Sequence, residues 1–406
     1  MKKRKAISEE KILAYALKNA IEHNGEAREN SVLNSLFHEG LQKSQIKKTR
    51  LIIQKTVNQV NSLTSEEREK QFSQLGGQVG HRKERQGLPE LPGAKKGKVI
   101  TRMSPSPSGP LHLGHILTIL PNFLYTQKYG GRFYIRIEDT NPENIYPKAY
   151  KMIEKEAKWI TKGKVKIVIQ SERMNLYYKY AEKLIKKKAA YVCTCNPEEF
   201  KELILAKKAC PCKKQTVKEN TLKWKKMLDK GKEGYKEGEA VLRFKSNLAD
   251  KNPAMRDFPL ARVNLSSHPI QKNKYRVWPL MNLAVTVDDI EMKMTHIIRG
   301  KDHKDNAKRQ EMIYKALGKK KQYPWVAFIG KTHFKDLEFS TTKMRQGIEK
   351  GDFFGWDDPR LPTVEALKKK YKPESFWQLA EQMGISEVDK VMEKKEFFQT
   401  LDQFNK

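Results

Sequence analysis

Two histidines three residues apart, His112 and His115, stand in the stretch 101–116, TRMSPSPSGPLHLGHI, and their setting gives them a chemistry. Val99 to Met103 is β-branched and apolar, whereas Pro105, Pro107 and Pro110 forbid both strand and helix until Leu111. The reading is a short strand, a rigid loop and a helix opening near His112. Free backbone N–H groups and the positive helix end then face the loop, and imidazoles at i, i+3 add donors for phosphate oxygens. Gly109 and Gly114 let a ligand or a neighbouring backbone come close, and Pro105 and Ser106 shape the loop that would wrap a nucleotide. A His-x-x-His pair alone is as compatible with a surface or metal-site coincidence; the loop around it is what favours a nucleotide.

The elements that must hold this pair alternate. Strands are predicted over 98–103, 133–139 (FYIRIED) and 166–170 (KIVIQ), with helices between them. Such alternation gives a parallel sheet with right-handed crossovers, and ligands lie beyond the carboxyl ends of its strands. Arg102, Ser104, Glu138 and Asp139 should therefore emerge on one rim with the histidine loop. A guanidinium there can clamp a carboxylate, and a carboxylate can hold an ammonium. Read without that loop, Glu138 and Asp139 are equally a helix cap or a surface pair.

The pattern R-x-S-P-S-P-S-G-P-L-H-L-G-H resembles the HIGH signature of class I aminoacyl-tRNA synthetases in the form used by glutamyl- and glutaminyl-tRNA synthetases. That resemblance implies an ATP site around Pro105, Ser106, Gly109, His112, Gly114 and His115, with Mg²⁺ screening the phosphates. It further implies that Arg102 reads a substrate side-chain carboxylate, that Ser104 assists, that Glu138 holds the α-ammonium, and that Arg299 in THIIRGKDH contacts the amino-acid carboxylate. Met281 stands where the family usually places a tyrosine against the substrate side chain, and a thioether cannot donate that hydrogen bond. After the strand-like WVAFIG, the segment LEFSTTKMRQGI occupies the place of the KMSKS loop. Ser340 matches the motif serine, Thr341 stands where the second lysine usually lies, and Lys343 is the substitute; Ser340 and Lys343 join the histidines as the implied catalytic set. Residues 355–363, GWDDPRLPT, resemble a stretch typical of the archaeal-type enzymes.

Cys193, Cys195, Cys210 and Cys212 form CTC and CPC pairs fourteen residues apart, a spacing that suits a tetrahedral structural Zn²⁺, with reduced structural cysteines as the alternative. No signal core precedes them, which argues against an oxidising compartment and for the cytoplasm. A similar insertion in the acceptor-stem domain of several glutamyl-tRNA synthetases implies that 191–275 contacts the acceptor end.

The domain reading follows. Residues 1–84 form a helical N-terminal domain, with helices opening at Ser8 and over about 30–37 and 46–62; 85–97 is a Pro/Gly-rich linker. A Rossmann-like α/β core spans 98–190 and 276–345, split by the insertion at 191–275. A stem-contact helical region covers 346–406, with one helical segment over about 373–395. The helical front resembles the N-terminal appendage of archaeal-type glutamyl-tRNA synthetases. No run of alternating strands follows that is long enough for the family's two anticodon-binding barrels, so the resemblance leaves a separately encoded anticodon-binding chain, a truncation or an enzyme without anticodon contacts as the explanations.

Charge agrees with a polyanionic partner. The 406 residues carry 81 Lys and Arg against 48 Asp and Glu, a net charge of +33, although runs such as 319–321 and 368–370 are also consistent with a merely solvated basic surface. No membrane span is expected. The resemblance thus implies ATP-dependent ligation of glutamate to tRNA(Glu), with tRNA(Gln) as a further acceptor to test. The rivals are glutamine ligation, a tRNA-binding subunit without chemistry, and a nucleotidyltransferase on the same fold, which would leave GWDDPRLPT and the cysteines unexplained.

Overall fold

The computed structural model describes residues 7–23, 25–79, 87–337 and 339–405. The chain divides into two compact units, 1–84 and 85–406.

The first unit is helical. Of helices α1 (Glu9–Glu22), α2 (Glu29–His38), α3 (Ile46–Asn61) and α4 (Ser65–Leu75), the first and last are capped by side chains: Ser8 Oγ accepts from Lys11 N–H, and Thr64 and Glu67 form a reciprocal capping box. Ile12, Ala16, Leu17 and Ala20 on one face of α1 meet Val32, Leu36, Ile53, Val57 and Val60 in a single apolar core.

The second unit begins on its own surface. Of the expected linker over 85–97, residues 85 and 86 lie outside the described residues, and from Leu88 onward the segment is packed rather than free. Leu91 is buried with Val99, Tyr125 and Ile298, and Tyr125 O–H donates to Pro89 C=O at 2.7 Å. Proline and glycine here remove helix and strand without removing apolar contact.

Strands β1 (Ile100–Met103), β2 (Arg132–Ile137) and β3 (Lys166–Ile169) form a parallel sheet in that order, with α5 (Leu113–Tyr129) and α6 (Ala149–Ile160) as crossovers. After α7 (Met174–Lys186), strands β4 (Ala190–Cys193), β5 (Val241–Phe244), β6 (Pro259–Val263) and β7 (Val277–Pro279) make an antiparallel sheet that carries α8 (Pro197–Leu205) and α9 (Val217–Leu228). Helix α10 (Met281–Glu291), strand β8 (His296–Gly300), helix α11 (Lys304–Ala316) and strand β9 (Trp325–Ile329) follow, β8 and β9 again being parallel. The two parallel parts meet at Ile100, whose N–H donates to Thr295 Oγ1 at 2.9 Å and whose C=O accepts from Thr295 N–H at 3.0 Å. Asn122 of α5 completes the join. Its buried amide donates to Ile298 C=O at 2.8 Å and accepts from Ile298 N–H at 3.1 Å, standing in for a strand neighbour.

The antiparallel sheet, which runs from Ala190 to Pro279 and so past the expected 191–275, lies in sequence between the two parallel parts and shares its apolar filling with the helices that flank it. Leu242, Leu260, Val263 and Trp224, with Trp278 of β7, are buried with Tyr177, Leu283, Val287 and Ile313 of α7, α10 and α11. The C-terminal stretch likewise packs onto α5 and α6. Val364 and Leu367 of α13 (Val364–Leu367), Phe376 and Leu379 of α14 (Pro373–Met383) and Phe397 of α15 (Lys394–Phe404) join Leu113, Ile116 and Ile153.

One expected helix is wrong in extent. The helix predicted over 373–395 stops at Met383, because Gly384 takes a positive φ of 61°. Residues Lys390–Met392 then form β11, a parallel partner for β10 (Thr332–Phe334). Among the described residues no helix is long and apolar enough to cross a membrane.

Candidate active site

The histidine loop is held from all sides before any ligand is considered. Pro105 C=O accepts from Glu138 N–H at 2.9 Å and Pro107 C=O from Tyr146 N–H at 2.8 Å, tying the loop to the end of β2. Leu113 N–H donates to Pro362 C=O and Val364 N–H to Leu111 C=O, both at 2.9 Å. GWDDPRLPT is thus a brace for this loop. It is itself stiffened by buried Asp358, which accepts from Arg360 Nε at 2.9 Å. Beneath the loop, Glu156 Oε2 accepts from Leu111 N–H at 2.6 Å, and burial pushes that carboxyl well above the usual carboxylate range.

Helix α5 opens at His112, its N-cap, as the prolines predict. The two imidazoles replace the usual capping side chains: His112 Nδ1 accepts from Gly114 N–H at 3.1 Å, and His115 Nδ1 accepts from His112 N–H at 3.2 Å. Burial, with His115 adding to it, holds His112 well below the ordinary histidine value, and burial pulls His115 down to about 4. Both rings are neutral at pH 7, and because Nδ1 accepts in each, the ring proton sits on Nε2. The rings lie 3.8 Å apart, and His112 stacks on Phe339 at 5.5 Å. Gly109 has no room for a side chain: a Cβ there would come within 2.2 Å of Thr341 Cγ2.

These rings wall a cavity of about 940 Å³, together with Arg102, Ser104, Glu138 and Arg299 from the strand ends. Of the four residues that the parallel-sheet rule put on this rim, Arg102, Ser104 and Glu138 are there and Asp139 is not. Arg102 is buried and gives Nε and Nη2 to both oxygens of Asp289 at 2.9 and 2.8 Å. Arg299 is buried too; its Nη1 donates to Gln310 Oε1 at 2.9 Å while its Nε has no partner. Burial, then the nearby Arg102, lowers the Arg299 guanidinium to about 10. Ser104 Oγ is likewise buried without a partner. Two crowded cations with open donors, one carboxylate and one orphan hydroxyl make a receptor for a small molecule bearing carboxylates and an ammonium.

Lys331, His333 and Lys335 line another part of the cavity wall. Lys331 is 3.7 Å from Asp302 and Lys335 3.1 Å from Glu393, both pairs being exposed.

Several expected residues sit elsewhere. Asp139 does not face the cavity: it is buried, accepting from Ser171 N–H at 2.8 Å and from Tyr150 O–H at 2.8 Å, and so ties the loops after β2 and β3 together. Met281 is 37% exposed at the start of α10 and is not part of the cavity wall. Ser340 is the N-cap of α12 (Thr341–Lys350), its Oγ accepting from Lys343 N–H at 3.3 Å; Lys343 is exposed, and neither side chain walls the cavity. Leu337 and Phe339, just before them, do so. Sequence reasoning missed Arg136, Asp288 and Asp289. Their signal was present as an arginine inside the apolar run FYIRI and a pair of carboxylates closing the apolar helix LAVTVDD.

The four cysteines converge as their spacing predicts. The Sγ atoms of Cys193, Cys195, Cys210 and Cys212 all lie within 4.8 Å of one another, with 193 to 210 at 3.9 Å and 195 to 212 at 3.6 Å, and none is in a disulfide. A tetrahedron with metal–sulfur bonds of about 2.3 Å has edges of about 3.8 Å, so the four thiols fit one ion.

Residues 98–403 match the sequence family described as "tRNA synthetases class I (E and Q), catalytic domain". The chain belongs to this family. Among its relatives, the glutamate–tRNA ligase of Methanocaldococcus jannaschii is 41% identical over 383 residues, covering 94% of this chain and 68% of the relative. That of Pyrococcus abyssi is 41% identical over 387 residues, covering 93% and 67%. A solved glutamate tRNA ligase of Elizabethkingia meningosepticum, in complex with its amino acid, superposes with a TM-score of 0.53 at 22% identity, over 76% of this chain and 69% of that one, a likeness of fold. As a synthetase of this class the chain has its HLGH loop and strand-end arginines on one cavity, with the brace behind that loop, while its Ser340-to-Lys343 turn follows Phe339 of the cavity wall.

Proposed function

We propose that the chain ligates L-glutamate to the 3′ end of tRNA(Glu), using ATP. Glutamate's α-carboxylate attacks the α-phosphorus of ATP and expels pyrophosphate; a terminal ribose hydroxyl of tRNA then attacks the acyl carbon of the adenylate and releases AMP. The observation that carries this reading is the charge inventory of the strand-end rim. Arg102 and Arg299 offer two cations for the two carboxylates of glutamate, and Glu138, 18% exposed, offers one anion for its ammonium. Glutamine would present an amide where a guanidinium offers its remaining donors to a carboxylate.

In this assignment the Nε2 protons of His112 and His115 donate to phosphate oxygens as charge develops, beside the N–H groups that open α5. They stabilise charge; they are not bases. Ser104 completes the amino-acid contacts. ATP enters as its Mg²⁺ complex, in which the ion screens the phosphates. Ser340 and Lys343, on the turn adjoining Phe339, act on the pyrophosphate from outside the cavity wall. The cysteine cluster holds one structural Zn²⁺ that shapes the acceptor-contacting sheet; four thiolates leave no open position for catalysis.

The deciding assay is charging of unfractionated tRNA with ATP and either glutamate, glutamine or aspartate. Glutamyl ester alone supports the reading, whereas glutamine ester without glutamate ester overturns the substrate, and no ester with any of them supports a binding subunit. Sequencing the charged pool separates tRNA(Glu) from tRNA(Gln). Metal analysis of the same preparation should find about one zinc per chain, lost in Cys210→Ser.

A further inference from the structure

Behind the cavity the two groups assigned to the ends of the amino acid are wired together. Arg102 leaves β1 and Glu138 follows β2, two strands in register through Arg102 and Tyr134. Asp289 takes the Nε–Nη2 edge of Arg102, and its Oδ1 also accepts from Arg136 Nη1 at 2.6 Å. Arg136 Nη2 in turn lies 3.6 Å from Glu138 Oε1. Asp289 and Arg136 are both buried, and neither is part of the cavity wall.

We propose that Asp289 is a positioning residue that sets the substrate's chain length, by fixing through Arg102 and Arg136 the separation between the cation that reads the side-chain carboxylate and the anion that reads the ammonium. The inference rests on the glutamate reading above. A carboxylate that fills the planar fork of a guanidinium fixes its plane as well as its position, so Arg102, which lines the cavity, is held there in one plane. The same carboxylate orients Arg136, whose Nη2, without a hydrogen-bond partner of its own, lies within ion-pair range of Glu138 and biases that carboxylate electrostatically. Burial, which alone would raise the Asp289 carboxyl, is overcome by Arg102 and then Arg136, which hold it down to about 2, so the relay stays charged at neutral pH. Aspartate, one methylene shorter than glutamate, cannot reach both ends of a fixed pair and would forfeit its contact with one of them. With Asp289 neutral, Arg102 regains its side-chain freedom and can follow the shorter substrate.

The test is steady-state tRNA charging by the full chain and its Asp289→Asn and Arg102→Lys variants, with glutamate, aspartate and ATP varied in turn. Thermal unfolding establishes that each variant is folded. Asp289→Asn should raise the KM for glutamate about tenfold, move the aspartate-to-glutamate ratio of kcat/KM about tenfold toward aspartate, and leave the KM for ATP within about twofold, the scale of one methylene. Arg102→Lys cannot fill the fork and should move the ratio the same way, and the double variant should move it little further. A folded Asp289→Asn with an unchanged ratio overturns the proposal, as does an equal rise in KM for glutamate and ATP. Where Asp289→Asn does not fold, Arg102→Lys decides alone, and an unchanged ratio overturns the proposal. Wild-type chain that fails to charge glutamate defeats the substrate reading instead.

Discussion

The strand-end rim of the cavity and the wall formed by residues 331–337 and 339, with the turn that follows it, are built on opposite plans. At the rim, Arg102, Arg299 and Glu138 are largely buried and held by groups that are themselves buried. In the other wall, Lys331 and Lys335 reach exposed carboxylates on long side chains, and Lys343 is exposed on the first turn of α12. His112 and His115 lie between these extremes: their rings are fixed by backbone N–H groups but open on the cavity. The difference teaches where selectivity resides. A site that must tell glutamate from its neighbours needs charges that do not move, whereas neutralising a triphosphate needs charge with little geometric demand.

The comparison breaks first at Arg299. Replacing it by Ala removes a buried cation beside Glu138 and leaves Gln310 without its partner, so kcat/KM for glutamate should fall about 10³-fold, the scale of truncating one member of a buried charge pair. The fall should appear chiefly as KM for glutamate, with the KM for ATP little changed. An effect under about tenfold in tRNA charging would show that the rim is not where the carboxylate binds. Arg299→Lys tests the planar fork itself and should recover only part of the loss.

His115→Ala should lower kcat by about 10²-fold at unchanged KM for glutamate, as for a lost preorganised donor. His115→Gln sharpens this, since its amide can donate but does not reproduce the ring's paired acceptor and donor. A variant with wild-type turnover would remove His115 from the chemistry and leave it as a helix cap.

How much of this was legible follows the same division. The strand, loop and helix around HLGH could be read because proline and β-branched residues constrain the backbone locally, and the rim could be read because a parallel sheet gathers strand ends whatever their sequence. The cysteines could be read from spacing alone. What failed was the direction of side chains that depends on tertiary packing. Asp139 and Glu138 are adjacent, yet one is drawn inward by Ser171 and Tyr150 while the other faces the cavity. Met281 and Lys343 were placed by resemblance, and each stands on the outer part of a helix start. The partners of Arg102 and Arg136 come from Asp289, more than 150 residues away in sequence, and no local pattern announces such a pairing.

Acidification gives a measure of the histidines apart from catalysis. Each is held neutral in the fold, His115 at about 4 against an ordinary value near 6.5. Below that ordinary value the unfolded chain binds protons that the folded chain refuses, so stability rises with pH and is lost as pH falls from about 6.5 toward 4. Asp289, held down to about 2, adds a loss only below about 3.8. Denaturant titrations of wild type and His115→Gln across this window should show a shallower loss in the variant; equal slopes would mean that His115 is solvated in the fold.

The smallest effects belong to the exposed lysines, and their smallness is what the contrast requires. Lys335→Ala removes a cation that lines the cavity and is paired with exposed Glu393, and Lys343→Ala removes one that stands outside the wall. Solvated charges act weakly and are screened by salt, so each change should alter the KM for ATP or kcat by no more than about tenfold, and the difference from wild type should shrink as ionic strength rises from about 0.05 to 0.5 M. Arginine at either position should restore most of the activity, because position along a long side chain matters less there than charge. A loss of about 10²-fold or more at Lys343 that is independent of salt would contradict the plan: it would require the turn at Ser340 to Lys343 to close over the phosphates and desolvate that lysine during the reaction. The nucleotide wall would then be as demanding in geometry as the amino-acid rim, but only when occupied.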